Sequence, residues 1–158
     1  MCFWKNLAKF VGMKQSIDFL PERKQRDLHE LVGLIRNEVE DVVMIILYGS
    51  YARNTYVELD IRRDYGGGKI QYMSDYDILV VSKKRLGSRT VTVSSRVKSS
   101  FLKNKNANTQ TRPSIINESI TKFNNALSEG RYFYVDILTE GIVLYDSGEC
   151  QLATPCEL

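Results

Sequence analysis

Two short stretches carry the residues whose types and spacing could do chemistry, and the first is "SDYDILVV". In it, Asp75 and Asp77 stand two positions apart at the entrance to an apolar run. Side chains alternate along a strand, so both carboxylates face the same way, where two neighbouring anions repel each other and lose hydration. A divalent cation would resolve that conflict, and Mg²⁺ is commonly held by one or two carboxylates together with substrate phosphates. The pair therefore predicts a metal site; the alternative is two solvated carboxylates at a strand end.

The second stretch is "IILYGSYARN", in which an apolar run ends abruptly in Gly49 and Ser50. A residue without Cβ lets the backbone approach a phosphate closely, and Ser50 offers a hydroxyl and an amide near the start of a predicted helix, "YARNTYVE". We therefore expect Gly49 and Ser50 to bind the phosphates of a nucleotide. For Arg53, in the first turn of that helix, a phosphate contact and an ion pair with Glu58 or another surface acid are equal alternatives.

The elements that must position these residues begin with a helix at about residues 21–40, where apolar side chains recur at three- and four-residue spacings. Two continuously apolar runs, 42–48 and 77–82, favour strands covered on both faces. Between them, the triple glycine at 66–68 predicts a hairpin turn. A glycine-rich phosphate loop is the alternative there, but no Lys-Ser/Thr pair follows the glycines.

The rest of the chain continues to alternate between helix and strand. We expect helices at about 93–103, from Ile120 to a stop at Gly130, and in "RYFYVDILTEG", with short strands at "SIIN" and "IVLYDS". This order predicts an α/β or α+β fold in which helices flank a small mixed sheet. A length of 158 residues with 43% hydrophobic residues is enough for one core, so we expect one domain.

Composition limits the class of protein further. No apolar run approaches the roughly 20 residues needed to span a membrane, and lysines interrupt any signal-peptide core near the N-terminus. The residues typical of disulfide frameworks and zinc sites are few and widely spaced: Cys2, His29, Cys150 and Cys156. Neither a disulfide framework nor a zinc site is supported, and we expect a soluble protein of the reducing cytoplasm without a membrane partner.

Charge is unevenly distributed although the net charge is only +3. No acid lies between Asp77 and Glu118. That segment should carry positive potential and could attract phosphate-bearing partners such as a nucleic acid; a solvated basic face is at least as reasonable an interpretation. Its basic residues are Lys83, Lys84, Arg85, Arg89, Arg96, Lys98, Lys103, Lys105 and Arg112.

Taken together, the motifs resemble the nucleotidyltransferases of the DNA polymerase β type, in particular the minimal members found beside an all-helical HEPN domain. The resemblance rests on an apolar strand followed by Gly49-Ser50, a helix with Arg53, then Asp75-x-Asp77 with "ILVV", and on the ending "ALSEGRYFYVDILTEGIVLYDSG". It covers about residues 20–148. It implies the nucleotidyltransferase fold, an ATP-type donor at Gly49-Ser50 and two Mg²⁺ ions held by Asp75 and Asp77.

The domain organisation that the resemblance implies is a single nucleotidyltransferase domain over residues 1–158. Its core is 20–148, and 1–19 and 149–158 are terminal extensions. Ser50 and Asp75 are further apart than is usual in the family, and the extra length coincides with an inserted hairpin at about 59–73 that could contact a partner or cover the nucleotide.

The implied reaction is in-line displacement at the α-phosphate of the donor by a hydroxyl, with pyrophosphate as leaving group. A third acid normally completes such a site as metal ligand or base. Glu118 is the first candidate, because it follows "SIIN" where a third strand should end; Asp136 on the late helix is the alternative, and absence of a third acid is the remaining case.

Two hypotheses about function follow. The first is a Mg²⁺-dependent nucleotidyltransferase that transfers AMP from ATP to a hydroxyl. By resemblance the acceptor would be a tyrosine of a HEPN partner, which would make this chain the antitoxin of a toxin–antitoxin pair; a small molecule such as an aminoglycoside is the lesser option. The second is a catalytically degenerate domain that binds a HEPN protein, or RNA through the basic segment.

Overall fold

The structure, a computed structural model, describes residues 12–155. Within this range the chain mixes helices and strands. In chain order they are α1 (Glu22–Glu38), β1 (Val42–Tyr48), α2 (Gly49–Ala52), β2 (Asp60–Arg63), β3 (Lys69–Tyr72), β4 (Tyr76–Ser82), α3 (Arg89–Leu102), β5 (Pro113–Ser119), α4 (Ile120–Ser128), α5 (Tyr132–Glu140) and β6 (Ile142–Asp146). Elements of one kind follow each other in two places: β2 to β4, and α4 to α5. None of the described helices is long and apolar enough to cross a bilayer.

Four strands form the main sheet in the order β5-β4-β1-β6. The β4–β5 pair is parallel, whereas β1 is antiparallel to both of its neighbours. The two central strands, β1 and β4, are buried along almost their whole length, which explains why their sequences are continuously apolar rather than alternating. The predicted fold class, a small mixed sheet flanked by helices, is confirmed.

The helices cover the two faces of this sheet and bury a separate core on each. On the first face, α1 and α3 pack against the sheet, and on the second face α4 and α5 do so. Among the residues fully buried on the first face are Leu28, Leu31, Ile45, Leu47, Ile78 and Phe101; on the second they include Val43, Ile46, Leu79, Val81, Phe123 and Leu127. Alternate residues of β4 therefore pack into opposite cores. This alternation places Asp77 on the second face of the sheet, the face of Leu79 and Val81.

A second, two-stranded sheet is formed by β2 and β3, at the hairpin predicted from the triple glycine. The Asp64 carboxylate accepts hydrogen bonds from the amides of Gly66 (2.9 Å) and Gly68 (2.7 Å), and Gly67 has φ +81°. The turn thus uses its own amides, which removes the basis for a phosphate loop there. At the base of the insertion, the Ser74 amide donates to the Val57 carbonyl and the Val57 amide donates to Ser74 Oγ, both at 2.9 Å.

One element differs from its prediction. The helix expected over "YARNTYVE" is wrong, because α2 has only four residues and ends at Ala52. Asn54 has φ +58°, a left-handed conformation that stops a helix, and Arg53 is the residue that caps it. A single turn carries little of a helix macrodipole, so phosphate binding at Gly49 and Ser50 would depend on their own groups.

Candidate active site

The two sequence motifs meet where β1 ends and β4 begins. Antiparallel pairing sets Tyr48 beside Asp77, and the chain turns at Gly49 immediately afterwards. Gly49 has φ +72°, and a Cβ at this position would collide with the Asp77 carboxylate, whose Cγ would lie 3.2 Å away. Only glycine fits this turn, because both the backbone conformation and the close carboxylate exclude a side chain. The Gly-Ser turn (Gly49 and Ser50) therefore lies directly against Asp77, one member of the aspartate pair (Asp75 and Asp77).

Asp77 carries an electrostatic cost in this position. Burial raises the pKa of its carboxyl, the Asp75 carboxylate raises that pKa further, and Arg53 opposes the shift. Asp75 itself is exposed. No described Lys or Arg lies within ion-pair distance of either carboxylate. The pair is a site of negative charge that the described residues leave largely uncompensated.

Tyr48 lies on the same side of the sheet as Asp77 and shares its environment. Burial raises the pKa of the Tyr48 phenol to about 12, with Asp77 as a second cause. The Tyr48 ring packs edge-on against Phe133 of α5, with ring centroids 5.9 Å apart. This contact brings the N-terminal part of α5 to the edge of the site. Because its pKa is raised, the Tyr48 phenol is neutral at physiological pH.

Arg53 forms an ion pair, but not with Glu58. Its Nη1 lies 3.2 Å from Glu140 Oε2, whereas Glu58 pairs with Arg23. Both side chains of the Arg53–Glu140 pair are close to half exposed, so the pair is weak and Arg53 stays available to another anion. Arg53 also lines a cavity of about 500 Å³, together with Lys14, Phe19 and Ala52.

The structure does not bring Glu118 to the aspartate pair. Parallel pairing sets Asp77 beside Ser114 and Val81 beside Glu118, four residues further along. At the rise of a strand this separation is about 13 Å. Asp136 is exposed on α5, as predicted for a residue of that helix. Within residues 12–155, no group of three or more acidic, His or Cys side chains could hold a metal ion.

Ser114 takes the position beside Asp77 on the neighbouring strand, a position that the sequence analysis did not single out. In a parallel pair, residues in register project from the same face, so Ser114 lies on the face of the sheet that carries Asp77. The sequence held no signal for it, because its location depends on the register between β4 and β5.

Lys24 is a second missed residue, and it lies behind the site, on the first face of the sheet. Lys24 belongs to α1 and is only 4% exposed, and its amine donates to Tyr51 Oη (2.9 Å) and Thr111 Oγ1 (2.7 Å). Burial lowers the pKa of this amine to about 8. Tyr51 follows the Gly-Ser turn by one residue, and Tyr76, whose ring centroid is 5.7 Å from the amine, separates the two aspartates.

Through Tyr51 and Tyr76, the contacts of Lys24 thus support both the Gly-Ser turn and the aspartate pair from the first face of the sheet. One turn further along α1, Asp27 Oδ2 accepts a hydrogen bond from Tyr76 Oη at 2.8 Å. The sequence did hold a signal for Lys24: it precedes Leu28 by four residues, on the helical face that is otherwise apolar. A lysine on a buried helical stripe needs partners, and here two hydroxyl groups and the Glu58 carboxylate, 3.8 Å from the amine, provide them.

The basic segment between residues 78 and 117 does not form one surface. Its members lie at both ends of the sheet, because Lys83–Arg85 follow β4 whereas Arg112 precedes β5, which runs parallel to β4. Four of them pair with acids from other parts of the chain, in the pairs Lys83–Glu149, Arg85–Glu118, Arg96–Glu38 and Lys105–Glu30. Much of the predicted positive potential is therefore neutralised locally.

The donor set of the aspartate pair fits Mg²⁺. Carboxylate oxygens are the ligands that this ion takes, and it commonly needs only one or two of them when substrate phosphates complete the coordination. The surroundings of Asp77 favour the same ion, because burial and the Asp75 carboxylate raise the pKa of Asp77 and a bound cation would stabilise its ionised form. The aspartate pair supplies fewer ligands than a metal site in which protein side chains alone complete the coordination.

Fold and site together define a mixed-sheet α/β domain in which a Gly-Ser turn faces a pair of aspartates. No protein-family model matches the chain, and no curated protein matches it. Among solved structures, the chain is similar to a putative nucleotidyltransferase from Sulfolobus solfataricus, with 16% sequence identity and a TM-score of 0.43, over 86% of this chain and 93% of that one.

Proposed function

We propose that the protein is a Mg²⁺-dependent nucleotidyltransferase that moves a nucleoside monophosphate, AMP from ATP in the first instance, to a hydroxyl acceptor. The observation that carries the proposal is the contact between the Gly-Ser turn and Asp77. It joins a place where only glycine fits to a carboxylate that lacks a compensating cation. A nucleoside triphosphate with its divalent cation supplies both missing parts, namely phosphates for the turn and positive charge for the carboxylates.

In this proposal each residue has a definite task. The Ser50 hydroxyl and the amides of the turn bind the donor phosphates, and Arg53 leaves its exposed pair with Glu140 to neutralise phosphate charge. Asp75 and Asp77 would hold Mg²⁺, which supplies positive charge to the reacting phosphate and the leaving group. Tyr48 and the half-buried setting of Asp77 keep bulk water from one side of the site.

The reaction balances without a further reagent. The acceptor oxygen forms a bond to the α-phosphorus, and the bond between that phosphorus and the oxygen of the β-phosphate breaks. The hydroxyl proton passes to solvent, and the products are a phosphodiester and pyrophosphate. The acceptor that the family resemblance implies is a tyrosine hydroxyl of a HEPN partner.

A specific observation favours a second candidate, a degenerate domain that binds nucleotide or partner without catalysis. Ser114, not an acid, lies beside Asp77, and neither Glu118 nor Asp136 joins the pair in a group of three acids. The resemblance implies a site with three acids, and two carboxylates can still hold one Mg²⁺ together with substrate phosphates. The degenerate domain would therefore retain binding of the Mg²⁺–nucleotide complex and lack transfer.

One series of variants tests both candidates. ATP labelled at the α-phosphate is incubated with Mg²⁺ and a lysate of the protein's own host, and nucleotide binding is measured separately by calorimetry. If the protein is the proposed enzyme, the wild type should transfer the label to an acceptor and Asp77→Asn should not. If the wild type binds Mg²⁺–ATP but labels nothing, and Ser114→Asp labels an acceptor, the degenerate domain is the correct description. Absence of Mg²⁺–ATP binding in the wild type would exclude both.

A further inference from the structure

The two edge strands of the main sheet, β6 and β5, have different surroundings. Beside β6, the chain before α1 covers part of the edge: Lys14 forms a parallel bridge with Ile142, and the Val143 amide donates to the Lys14 carbonyl at 2.8 Å. The ladder between β1 and β6 also shifts register between Ile45 and Ile46. On the opposite side of the sheet, no strand of the described chain pairs with the outer edge of β5. That edge therefore presents unpaired backbone groups.

The strand β5 lacks most of the features that keep an edge strand from pairing. It is seven residues long, and its ladder with β4 runs from Pro113 to Ser119 without a bulge. Its proline stands only at the first position, and the residues at 114–117 are uncharged. Natural edge strands are commonly short, bulged, charged or covered. A long and regular edge can accept another strand, whose backbone pairs with the outward N–H and C=O groups of alternate residues.

A groove follows this edge on the first face of the sheet. It has a volume of about 370 Å³, and its walls are one side of α3 and Ile115 of β5. The α3 wall mixes apolar and hydroxyl groups, and its Val91 is 76% exposed. Every second side chain of an added strand would project from this face into the groove. The lining residues are Thr90, Val91, Ser94, Ser95, Lys98 and Ile115.

The groove carries positive charge that its surroundings do not neutralise. Lys98 lies in its wall, Arg89 is the first residue of α3, and Arg112 directly precedes β5. None of these three cations forms an ion pair with a described acid. The chain has no acid between Asp77 and Glu118, and Glu118 lies on the second face because it pairs with a strand position of that face. The groove is therefore complementary to an acidic ligand.

We propose that the outer edge of β5 and the groove beside it (the β5 edge site) bind an acidic, extended peptide segment of a partner protein. The peptide adds to the main sheet as a further strand. Its apolar or β-branched side chains pack against Val91 and Ile115, and its acidic side chains pair with Lys98 and Arg112. In this mode of binding, main-chain hydrogen bonds give affinity and the groove gives sequence preference. These residues lie outside the candidate active site, so peptide binding does not depend on nucleotidyl transfer.

Two other occupants match the β5 edge site less well. Single-stranded RNA would pair with the cations, but its backbone does not repeat N–H and C=O groups at the spacing of a strand, so the edge of β5 would stay unpaired. A second copy that paired through β5 about a two-fold axis would bring the two α3 helices side by side on the first face. Because α3 carries cations and no acid, these helices would repel each other.

The test uses random nonapeptides displayed on phage and selected on the full chain. We expect the enriched peptides to be acidic and rich in β-branched residues, and their synthetic forms are titrated by fluorescence anisotropy. Val91→Glu and Lys98→Glu should each weaken binding at least tenfold, because each places an acid in the groove. Two controls should each change the affinity less than threefold: Thr92→Glu, exposed on α3 outside the groove wall, and Arg26→Glu, exposed on α1. Thermal unfolding checks that all four variants fold.

Methylation of the peptide backbone decides whether the peptide adds as a strand. Only alternate N–H groups of an added strand donate to β5, so methylation of one alternate set should abolish binding and methylation of the other should leave it within threefold. Equal losses from both sets, or no loss from either, overturn the proposal. Failure to enrich any peptide that distinguishes the wild type from Val91→Glu also overturns it.

The same variants identify the other two occupants. An oligouridylate that binds more tightly than the selected peptides, and that Lys98→Glu weakens, would show that the β5 edge site takes RNA. A dimer of the free chain in sedimentation, dissociated by Val91→Glu and not by Thr92→Glu, would show that it takes a second copy. Either result overturns the peptide proposal, whereas a monomer that prefers the selected peptides over the oligouridylate supports it.

Discussion

Two carboxylates on the same face of the sheet, Asp77 and Glu118, have opposite surroundings. Glu118 is 6% exposed, and three neighbouring side chains compensate much of its charge. Tyr134 Oη donates to Glu118 Oε2 at 3.0 Å, Lys122 Nζ lies 3.7 Å from Oε2, and Arg85 Nε lies 4.0 Å from Oε1. Asp77 is less buried, yet the largest effect of a charged group on its pKa comes from another carboxylate, Asp75. The more buried acid is the better compensated one.

The difference separates a carboxylate that serves the fold from one to which the proposed function assigns a metal ion. Two cations and a phenol lie around Glu118, and its Oε1 makes no hydrogen bond to the described residues. Burial and the bond to Glu118 in turn raise the pKa of the Tyr134 phenol. At Asp77 the fold retains a cost that a cation would remove, and such a cost is typical of functional sites.

The largest effect should separate the two acids by nucleotide binding. We expect Asp77→Asn to weaken the Mg²⁺-dependent affinity for ATP about a hundredfold or more, because it removes a carboxylate from the proposed metal site. Glu118→Gln, the matched change about 13 Å away, should leave that affinity within twofold. Calorimetric titration with and without Mg²⁺ measures both. A loss of similar size in Glu118→Gln would show that the two ends of the sheet are not independent.

The next effect concerns the turn that presses against Asp77. Gly49→Ala forces a side chain into a left-handed conformation and against the carboxylate, so we expect unfolding free energy to fall by about 1–3 kcal/mol. Gly33→Ala is the control: Gly33 lies in α1 with open space around it, and the change should stabilise the protein by about 0.5–1 kcal/mol. Urea denaturation measures both. If Gly49→Ala left the free energy of unfolding unchanged, the Gly-Ser turn and the Asp77 carboxylate would not be in contact.

Much of the fold could be predicted from the sequence, because the signals are local. Apolar periodicity located α1, continuous apolar runs located β1 and β4, and the triple glycine located the hairpin. The helix after Ser50 was overestimated, since the left-handed conformation of Asn54 left no trace in a polar stretch that otherwise suits a helix.

The site was only half predictable, for a physical reason. The Gly-Ser turn and the aspartate pair are contiguous motifs, so sequence could name them. The identity of their neighbours depends on the register of β5, and a shift of four residues separates Ser114 from Glu118. No local pattern fixes that register, which is set by how the whole strand packs against β4. Glu118 follows an apolar strand just as a ligand would, and only the paired strand shows that its charge meets Arg85 and Lys122 instead.

A buried cation behind the site, Lys24, extends the comparison to a third charge. Its pKa is lowered from 10.5 to about 8, so above pH 8 the unfolded chain binds more protons than the native protein at this residue. Stability contributed by this group therefore rises with pH from 8 towards 10.5. We expect the wild type to gain about 2 kcal/mol relative to Lys24→Met between pH 8 and 10.

The Lys24 prediction is checked by thermal or urea unfolding of both proteins across that range. Lys98→Met, on α3, serves as the control and should show no pH-dependent difference from the wild type. The hydroxyl groups of Tyr51 and Thr111 lie 3.0 Å apart and can bond to each other, so Lys24→Met should still fold. A difference that stays constant from pH 8 to 10 would mean that the amine is not buried as its contacts indicate.

The smallest effect is the one that tests the opening comparison most directly, because the two acids should respond with opposite sign. Without metal at pH 7, we expect Asp77→Asn to raise the unfolding free energy by up to about 1 kcal/mol, and Glu118→Gln to lower it by about 1 kcal/mol.

The effect of Asp77 should also depend on pH. Since the folded pKa of Asp77 lies above its ordinary 3.8, the native protein binds more protons than the unfolded chain between those two pKa values, and its stability falls as pH rises through them. The increase in unfolding free energy caused by Asp77→Asn should therefore become smaller as pH is lowered towards 3.8. Saturating Mg²⁺ and ATP should reverse the order at pH 7, because they stabilise the wild type and not Asp77→Asn. If both substitutions destabilise the metal-free protein equally, Asp77 serves the fold as Glu118 does, and the distinction between the two carboxylates is lost.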